Sequence, residues 1–467
     1  MSDNEQEHPP IPTHVIEAAT AGCAESRMLI ERRTFMGLSA GLFAWAFAPR
    51  IAEAAPGDEP RLLVVLLRGG MDGLHVVAPL GDPAYAGLRG SIALTAAGVN
   101  PLTSPTTLSP GFFGLNKSLA AFHGMYTAGE ASLVHAIAPP LRIGSHFECQ
   151  YNIESGFPGD NIRSATDGWM NRLMANLPPG NPVKARGALE IGPSPLITMG
   201  RQPVYSWSPG GWRVIQSMTD KLYTVYDAID PALGNALRRG DNTNAMAASA
   251  VGGQGTTALQ QAFAGAGALL GAVDGPRIAV LNVDGWDTHV DQHVALPVQL
   301  KALDEALALF KTTIGTAAWA RTAVVCVTEF GRTAGVNGRN GTDHGVGTVA
   351  LMAGGAVAGN KLHVDWPGLG KLELLNERNL QATFDLRSLF KGILQEHLGV
   401  ARQVLDTAIF PGSSNVAPMT GLIRSPAPVT ASMAAARMAW TPARSSTAPE
   451  RLDSPIARFR EANPAPR

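Results

Sequence analysis

Short runs of valine, isoleucine and leucine recur along the chain and predict buried strands. The runs occupy residues 62–67, 133–138, 278–283, 322–328 and 348–352. Uninterrupted apolar runs of this length are typical of strands that are covered on both faces. Between the third and fourth runs, apolar residues recur at helical spacing at Leu296, Leu300, Leu303, Leu307, Phe310 and Ile314. The pattern predicts an α/β layered fold, with a mostly parallel sheet flanked by helices.

A different pattern precedes the first strand. Arg32-Arg33 stand just before a weakly apolar, uncharged run of 13 residues, 36–48, and small residues follow at Ala52 and Ala54. A membrane-spanning helix needs roughly 20 apolar residues, so this run is too short to cross a bilayer. We predict a twin-arginine signal peptide over 1–54, with the twin-arginine translocase as export partner, a periplasmic or secreted location and no stable membrane anchor. The alternatives are a buried helix and a retained anchor.

The rest of the chain predicts one large domain and a tail. Residues 55–412 are long enough for one elaborated α/β domain. A stretch rich in Gly and Pro at about 152–255 predicts an insertion or cap over the sheet edge. Residues 413–467 are rich in Ala, Pro, Ser and Arg, and between Val416 and Arg467 seven arginines outnumber three acidic residues. Such a composition predicts a disordered tail.

Charge and cysteine content narrow the class of partner. The formal net charge is −1 and the chain has no basic block, which argues against nucleic acid because phosphate binding needs clustered Lys and Arg. A small-molecule substrate fits this balance better. Beyond the predicted leader only Cys149 and Cys326 remain, so at most one disulfide is expected. Cys326 lies within an apolar run, which predicts a buried strand residue.

Polar residues that follow the predicted strands are candidates for chemistry, because ligands of open α/β sheets bind at the carboxyl ends of the strands. A glycine-rich turn after the first strand carries Asp72, which is a candidate metal ligand or a helix cap. After the second strand, Ser145 and His146 stand together. Ser145 is a candidate nucleophile, and it also fits an N-cap whose capping box is completed by Glu148; the two roles are compatible.

The segment after the third strand carries five Asp and His residues within ten positions, which are Asp284, Asp287, His289, Asp291 and His293. Such a density is costly unless a cation offsets the repulsion between the carboxylates. Imidazole and carboxylate together suit zinc or a similar divalent ion. We expect Asp287 and His289 to be the ligands among the five. The alternative is a solvated turn that opens the long helix.

The fourth strand leads into Glu329 and Arg332, and a glycine-rich stretch then leads to Asp343 and His344. Adjacent Asp and His side chains point in different directions, so they can serve one metal ion from two sides or two metal ions. The fork of donors on Arg332 suits a tetrahedral oxyanion. The alternative is a salt bridge between Arg332 and Glu329 that steadies the loop.

Five motifs together resemble those of a known family: Arg68-Gly69-Gly70-Met71-Asp72-Gly73-Leu74, Ser145-His146-Phe147, Gly285-Trp286-Asp287-Thr288-His289, Glu329-Phe330-Gly331-Arg332-Thr333 and Asp343-His344-Gly345. They look like the exported bacterial family named domain of unknown function 1501, over about 61–412. That family is similar to the alkaline phosphatase and sulfatase superfamily, whose members hold one or two metal ions over a parallel sheet beside a hydroxyl nucleophile. The resemblance implies an alkaline-phosphatase-like layered fold.

Carried over residue by residue, the resemblance implies ligands for one or two metal ions. One ion takes Asp72, Asp343 and His344, with Ser145 at or near it, and the other takes Asp287 and His289. The expected metal is zinc, with manganese, magnesium or calcium as alternatives.

The chain also departs from the superfamily. Three residues usually separate the Asp and His of the cluster there, whereas one residue separates Asp287 and His289. A final histidine ligand is expected downstream, and His363 is the nearby candidate. The sulfatase pattern, a Cys or Ser followed by Pro two positions on and by Arg four positions on, does not occur in the chain, which disfavours a sulfatase.

Two functions are consistent with these residues. The preferred hypothesis is an exported metal-dependent hydrolase that acts on phosphate or related small-molecule esters. In it Ser145 attacks in line, Arg332 counters the developing negative charge, and His146 orients groups or relays a proton. The alternative is a non-catalytic secreted protein for binding or assembly, which keeps the metal-binding fold and recognises an exported partner.

Overall fold

Nine strands of the computed structural model form one mixed sheet, and three short strands form a second sheet. The structure describes residues 59–102, 111–159, 165–178, 181–192, 195–209, 216–231 and 257–424, with isolated positions between 234 and 247. In chain order the strands are β1 (Arg61–Leu67), β2 (Val77–Ala78), β3 (Val99–Pro101), β4 (Gly114–Asn116), β5 (Ala131–Ala138), β6 (Ala188–Ile191), β7 (Val204–Trp207), β8 (Ile278–Val283), β9 (Thr322–Val327), β10 (Thr348–Ala353), β11 (Lys361–His363) and β12 (Phe384–Asp385). The large sheet has the order β11-β5-β10-β9-β1-β8-β6-β7, with β12 also paired to β5, and the small sheet has the order β2-β4-β3.

All five strands predicted from the apolar runs are present, as β1, β5, β8, β9 and β10. The central strand β1 is parallel to β8 on one side and to β9 on the other. The predicted crossover helix connects β8 to β9 and spans Gln292–Ile314. The predicted α/β fold with a mostly parallel sheet is therefore confirmed.

Helices connect and cover the strands. In chain order they are α1 (Gly73–Val76), α2 (Tyr85–Arg89), α3 (Ala120–Thr127), α4 (His146–Ser155), α5 (Trp169–Asn176), α6 (Pro182–Arg186), α7 (Gln216–Ile229), α8 (Ala258–Gly271), α9 (Gln292–Ile314), α10 (Thr316–Trp319), α11 (Leu386–Leu398) and α12 (Arg402–Val404). Short 3-10 turns lie at Gly90–Ile92, Ala96–Gly98 and Leu196–Thr198, and a π-helical turn lies at Leu405–Ile409.

Alternate residues of β1 face two separate hydrophobic cores. The odd-numbered residues of β1, from Leu63 to Leu67, pack in a core that includes Leu300 of α9. The even-numbered residues, from Leu62 to Leu66, pack in a second core that includes Trp169 of α5 and Leu389 of α11. A strand covered on both faces needs no polar positions, which explains why its sequence is a continuous apolar run.

Strand β10 is the exception to the parallel arrangement, because it runs antiparallel to both β9 and β5. A parallel return needs a crossover that carries the chain to the opposite end of the sheet, usually through a helix. The glycine-rich stretch 328–347 instead stays at the carboxyl end of β9, so the following strand must run back. The reversal holds this stretch at the edge of the sheet where the other candidate segments also begin.

Part of the predicted insertion at 152–255 belongs to the sheet. Strands β6 and β7 extend the sheet beyond β8, each parallel to its neighbour. Residues 413–424, which the sequence analysis assigned to the tail, pack on the domain, because Leu422 is fully buried and Ile423 pairs with Val357. The remaining domain boundaries stay a prediction.

Several predictions concern the chain ends and the cysteines. The predicted signal peptide and residues 425–467 lie outside the described residues. Over the part of the chain that is described, no helix is both long and apolar enough to cross a membrane. Cys149 and Cys326 are free buried thiols. Cys326 lies in β9, as predicted, and burial raises the pKa of its thiol to about 12.

The two-core arrangement predicts a large difference between buried and exposed positions of α9. Leu300→Ala removes a fully buried side chain and should lower the free energy of unfolding by about 2–5 kcal/mol. Val298→Ala, two residues away and 66% exposed, should change it by less than about 0.5 kcal/mol. Urea denaturation of the two variants measures both values. Similar values for the two would contradict the assigned helix orientation.

Candidate metal centre

The carboxylate of Asp287 and the imidazoles of His289 and His344 meet at the carboxyl edge of the sheet. Asp287 Oδ1 lies 3.0 Å from His289 Nε2 and 3.3 Å from His344 Nε2. The two imidazole nitrogens are 3.0 Å apart. The side chains are 46%, 36% and 27% exposed, respectively, so a ligand from solvent can reach them.

A third imidazole, that of His146 at the start of α4, joins this group. Its Nε2 lies 3.6 Å from Asp287 Oδ2, and its ring packs edge-on against His344 with centroids 4.4 Å apart. One ligand atom from each of His146, Asp287 and His344 lies within 4.8 Å of the others. His146 Nε2 is buried and has no hydrogen-bond partner among the described residues, which is costly for a polar atom. We refer to His146, Asp287, His289 and His344 as the His/Asp cluster.

An oxygen atom lies beside the Nδ1 atom of each imidazole. These oxygens are Glu329 Oε1 at 2.8 Å from His146, Gly144 O at 2.8 Å from His344 and Asp343 Oδ1 at 3.5 Å from His289. An imidazole that donates from Nδ1 keeps its lone pair on Nε2, and metal-binding histidines are usually held in this way. The oxygens therefore turn the three Nε2 atoms toward Asp287.

The donor separations suit a divalent metal ion. Four donors at roughly 2.0–2.1 Å from a tetrahedral ion lie about 3.3 Å from one another. The four measured separations, of 3.0, 3.0, 3.3 and 3.6 Å, lie on both sides of that value and involve both oxygens of Asp287. Among the described residues, His146, Asp287 and His344 are thus a possible metal site. His289 Nε2 lies 3.0 Å from donor atoms of Asp287 and His344 and 3.4 Å from a nitrogen of Arg332.

Charges around the cluster keep its carboxylates ionised. Burial favours the protonated form of Asp287, but the Arg332 guanidinium outweighs burial and holds the pKa of that carboxyl below its ordinary range. Burial likewise opposes ionisation of Glu329, but hydrogen bonds from His146 and Gln150 lower its pKa. The Glu329 hydrogen bond raises the pKa of His146, against the opposing effect of burial. Asp287 and Glu329 are therefore both ionised, with Arg332 paired to Asp287 and His146 to Glu329.

The structure contradicts the predicted role of Arg332 as a donor to a substrate oxyanion. Its side chain is fully buried, and it donates to the carbonyls of Gly69, Gly70, Trp286 and Thr342 and to the Asp287 carboxylate. A substrate cannot reach a guanidinium that is covered and fully engaged. The alternative salt bridge with Glu329 is not formed either, because Glu329 contacts His146 instead. Arg332 fastens the loops that carry the cluster.

Asp72 is also wrong as a predicted metal ligand. Its carboxylate is fully buried, and accepts two hydrogen bonds from Arg89 at 2.6 and 2.8 Å, one from Gln292 at 2.6 Å and one from the Leu74 amide at 3.1 Å. These bonds occupy both oxygens and leave no place for a metal ion. Burial opposes ionisation, but Arg89 and the other donors lower the pKa of Asp72. The alternative interpretation of Asp72 as a helix cap is confirmed, since it caps α1.

Gln292 connects this buried ion pair to the cluster, and no motif in the sequence marks this residue. Its side-chain oxygen accepts hydrogen bonds from Thr288 at 2.8 Å and Thr342 at 2.6 Å, while its nitrogen donates to Asp72. Thr288 stands beside His289 in the chain, and Thr342 stands two residues before His344. The amide therefore fixes the spacing of two loops that supply ligands.

Asp343 lies behind the cluster and not within it. Its Oδ1 accepts a hydrogen bond from Asn337 at 3.1 Å and lies 3.5 Å from His289 Nδ1, and its Oδ2 contacts Arg378 at 3.1 Å. The Asn337 hydrogen bond lowers the pKa of this carboxyl, and His289 and Arg378 add to the effect. Asp343 thus lies beside Nδ1 of His289, on the side away from Asp287, in the position of a group that orients the imidazole, and its predicted role as a ligand stays a prediction.

Ser145 lies at the N-cap position of α4, but its side chain makes no capping hydrogen bond and the predicted capping box is not formed. The residue is partly exposed. Its two neighbours are fixed by the cluster, because the Gly144 carbonyl contacts His344 and the His146 ring contacts Glu329. A side chain on Gly144 is excluded, since its Cβ would lie 2.7 Å from the Cβ of His344. The Ser145 hydroxyl thus makes no capping hydrogen bond and lies between two residues that contact the site.

The other candidates do not join the cluster. Asp284, Asp291 and His293 are exposed, and Asp291 has left-handed backbone torsions at the start of α9 without a capping bond. His363 lies on β11, where its position pairs with Val134 of β5. It is therefore absent from the candidate site, contrary to the expectation of a final histidine ligand.

An open cavity of about 520 Å³ adjoins the cluster. His289 and His344 form part of its wall, together with Arg142, Arg378 and Asn379. The cavity has the size of a typical small-molecule site. These wall residues could not be predicted, because no local sequence pattern marks the loop around residue 378 as a neighbour of the cluster.

Comparison with known proteins gives the family. The family model described as "Protein of unknown function (DUF1501)" matches residues 140–409, which is more than half of the 467 residues. This chain belongs to the DUF1501 family. The matched span includes the whole His/Asp cluster and Ser145, whereas Asp72 precedes it. The predicted family is confirmed. No match was found among curated proteins.

Several solved structures are similar to this DUF1501 chain at low identity. Ps i-CgsB is 12% identical with a TM-score of 0.32, and the alignment covers 77% of this chain and 78% of that one. The zinc complex of the C-terminal periplasmic domain of EcEptC from Escherichia coli is 9% identical with a TM-score of 0.27, covering 66% and 77%. A protein in the alkaline phosphatase superfamily from Vibrio parahaemolyticus is 12% identical with a TM-score of 0.27, covering 72% of each chain. TM-scores this low carry no information on substrate or reaction.

The contact between His146 and Glu329 predicts a titration. In the metal-free protein, the pKa of His146 should lie above its ordinary 6.5, because the Glu329 hydrogen bond favours the protonated ring. This interaction stabilises the fold below the ordinary pKa, and the contribution is lost as pH rises through the raised pKa. Glu329→Gln should lower the pKa of His146, as measured by NMR titration. The control Asp284→Asn, an exposed carboxylate in a neighbouring loop, should leave it unchanged.

The buried hydrogen bonds of Arg332 predict a loss of stability. Arg332→Met leaves several carbonyls and the Asp287 carboxylate without their donor, and should lower the free energy of unfolding by about 3–5 kcal/mol. Arg378→Met is the control, because that side chain is 57% exposed, and it should cost less than about 1 kcal/mol. Chemical denaturation compares the two. Equal losses would show that Arg332 does not fasten the loops.

Proposed function

We propose that this chain is an exported metal-dependent hydrolase that acts on phosphate or related small-molecule esters. One observation carries the proposal: three imidazole Nε2 atoms converge on the Asp287 carboxylate while an oxygen lies beside each Nδ1 atom. Such an arrangement has a cost in a protein unless it binds a cation, because it collects lone pairs at one point. The cluster also opens to solvent beside a cavity.

The donor set favours zinc over the other candidate metals. Imidazole nitrogen suits zinc and similar transition-metal ions, whereas magnesium, calcium and manganese prefer sites made mostly of oxygen. Three imidazoles and one carboxylate contain more nitrogen than those ions usually accept. We assign one ion to the cluster, and no second ion, because Arg89 and Gln292 occupy the Asp72 carboxylate.

Ser145 is the proposed nucleophile. When bound, the metal supplies Lewis-acid polarisation and a lowered pKa for a coordinated oxygen. Attack of the Ser145 oxygen on phosphorus would break the bond to the ester oxygen, which takes up the serine proton and leaves as the alcohol. Water would then cleave the phosphoserine, releasing phosphate and restoring the hydroxyl. His146 is assigned to the metal through Nε2 while Glu329 holds its Nδ1, so neither ring nitrogen is left to relay a proton. Backbone amides at the N-terminus of a helix favour anions, and the start of α4 would therefore support binding of the phosphoryl oxygens.

Export by the twin-arginine pathway is part of the proposal. Arg32-Arg33 and the short apolar run that follows support a signal peptide and a periplasmic or secreted location. The translocase of that pathway is then a transient partner, and the substrate is a small ester. A fusion of residues 1–54 to a reporter should be exported, and replacement of both arginines by lysine should abolish export.

Metal binding and turnover test the proposed function together. His289→Ala should weaken zinc binding in equilibrium dialysis by at least about 100-fold, because it removes a ligand. The matched control His293→Ala, an exposed histidine four residues away, should not. Aryl phosphate monoesters, diesters and sulfates are assayed with zinc, manganese, magnesium or calcium. Ser145→Ala should retain zinc and reduce kcat by at least about a thousandfold. Full activity in both His289→Ala and Ser145→Ala would exclude the mechanism.

A second candidate function is a non-catalytic secreted protein for binding or assembly. The contact between Arg332 and Asp287 favours it, because a guanidinium already supplies a positive charge to this carboxylate and steadies the loops without turnover. This candidate predicts zinc binding without hydrolysis of any ester in the panel. Turnover of any of these esters, lost in Ser145→Ala, would exclude it.

A further inference from the structure

Two arginines and one carboxylate, Asp343, line the wall of the cavity beside the His/Asp cluster. Arg142 and Arg378 both line it, from segments more than two hundred residues apart in the chain. Arg142 is exposed. Among the described residues, its guanidinium donates one hydrogen bond, to the Ala382 carbonyl at 3.0 Å. Arg378 is 57% exposed and contacts Asp343 through one nitrogen. Most of the donors of the two guanidinium groups therefore face the cavity or solvent.

The loop that carries Arg378 has an unusual backbone. Asn376 and Glu377 both have left-handed torsions, with φ of 54° each, and Leu375 pairs with Asn379 across the turn. Non-glycine residues rarely adopt this conformation, and two in succession need support from the surroundings. The turn places Arg378 and Asn379 on the cavity wall, where the side-chain oxygen of Asn379 is buried without a hydrogen-bond partner among the described residues. Successive positive φ values are those of a tight hairpin turn, which the hydrogen bond from the Arg378 amide to the Leu375 carbonyl closes and which fixes Arg378 at this position.

The cavity has space for more than a phosphoryl group. A water molecule takes roughly 30 Å³, and a phosphoryl group is only a few times larger. The cavity of about 520 Å³ therefore has space for the alcohol part of the ester. An apolar alcohol would cover two guanidinium groups without giving them acceptors, which is strongly unfavourable. An alcohol with its own anionic group would pair with them.

We propose that Arg142 and Arg378 form an anion subsite, and that the substrate is a phosphate ester whose alcohol part carries a second anionic group. This inference rests on the proposed function, which places the phosphoryl group of the substrate beside the His/Asp cluster. Arg142 is the main determinant, because Asp343 already offsets part of the charge of Arg378. The second anion is a carboxylate or another phosphate, which a guanidinium binds with the same paired donors.

A matched pair of substrates tests the subsite. The zinc-loaded full chain is assayed with 4-carboxyphenyl phosphate and with its neutral isostere 4-carbamoylphenyl phosphate. The carboxylate should be preferred in kcat/KM by about tenfold or more, the effect of one charge-assisted contact. Arg142→Ala should abolish the preference and Arg142→Lys should retain part of it. Arg339→Ala, which removes an exposed arginine outside the cavity wall, should retain all of it. 1,4-Phenylene bisphosphate tests a second phosphate in place of the carboxylate.

Binding separates failure of the subsite from failure of the proposed function. Calorimetry of 4-carboxybenzylphosphonate and 4-carbamoylbenzylphosphonate with the same protein needs no turnover. Tighter binding of the carboxylate that depends on Arg142 supports the subsite even if no ester is hydrolysed, a result that would overturn the hydrolase proposal alone. Equal binding of the two phosphonates, or a preference that survives Arg142→Ala, overturns the subsite whatever the activity.

Discussion

The buried guanidinium of Arg332 is the interaction on which the site depends. It donates to the turn after β1, to the loop after β8 and to the glycine-rich stretch before β10. Backbone carbonyls buried away from water need donors, and one planar side chain supplies them for three segments at once. The close approach requires Gly69, whose φ is +126° and whose Cβ would lie 2.5 Å from the Asp287 nitrogen. The positions of Asp287 and His289 follow from these contacts.

A second layer of buried polar contacts lies beneath the first. The ion pair of Asp72 with Arg89 is fully covered, and Gln292 extends it to the threonines beside two of the cluster histidines. Both oxygens of Asp72 and both polar atoms of the Gln292 amide are hydrogen-bonded, whereas Arg89 Nε is buried without a partner among the described residues. The bonded groups hold the two loops in one arrangement. The partly exposed imidazoles rest on this rigid support, which limits their motion while leaving their nitrogens accessible.

The fold was more predictable than the site, for a physical reason. Strands covered on both faces have continuous apolar sequences, so β1 and β8 could be read from composition alone. The carboxyl-edge rule then brought Asp287, His289, His344 and His146 to one place. The rule could not distinguish a metal ligand from a carboxylate that is already paired with other protein groups. The partners of Asp72 and Asp343 lie far away in the sequence or at positions that belong to no motif. The predicted role of Arg332 was wrong for the same reason, because the sequence shows that a residue is charged but not that its side chain is buried.

The His/Asp cluster draws its members from three separate stretches of chain, and Asp287 and His344 alone are 57 positions apart. A cation held across such stretches acts as a cross-link, since it closes long loops that an unfolded chain would leave open. One of the hydrophobic cores reaches this edge, since Trp286 belongs to it and directly precedes Asp287. A cation bound at the cluster would therefore tie the loops of this edge to one another above the core, and its withdrawal would loosen those loops before the strands.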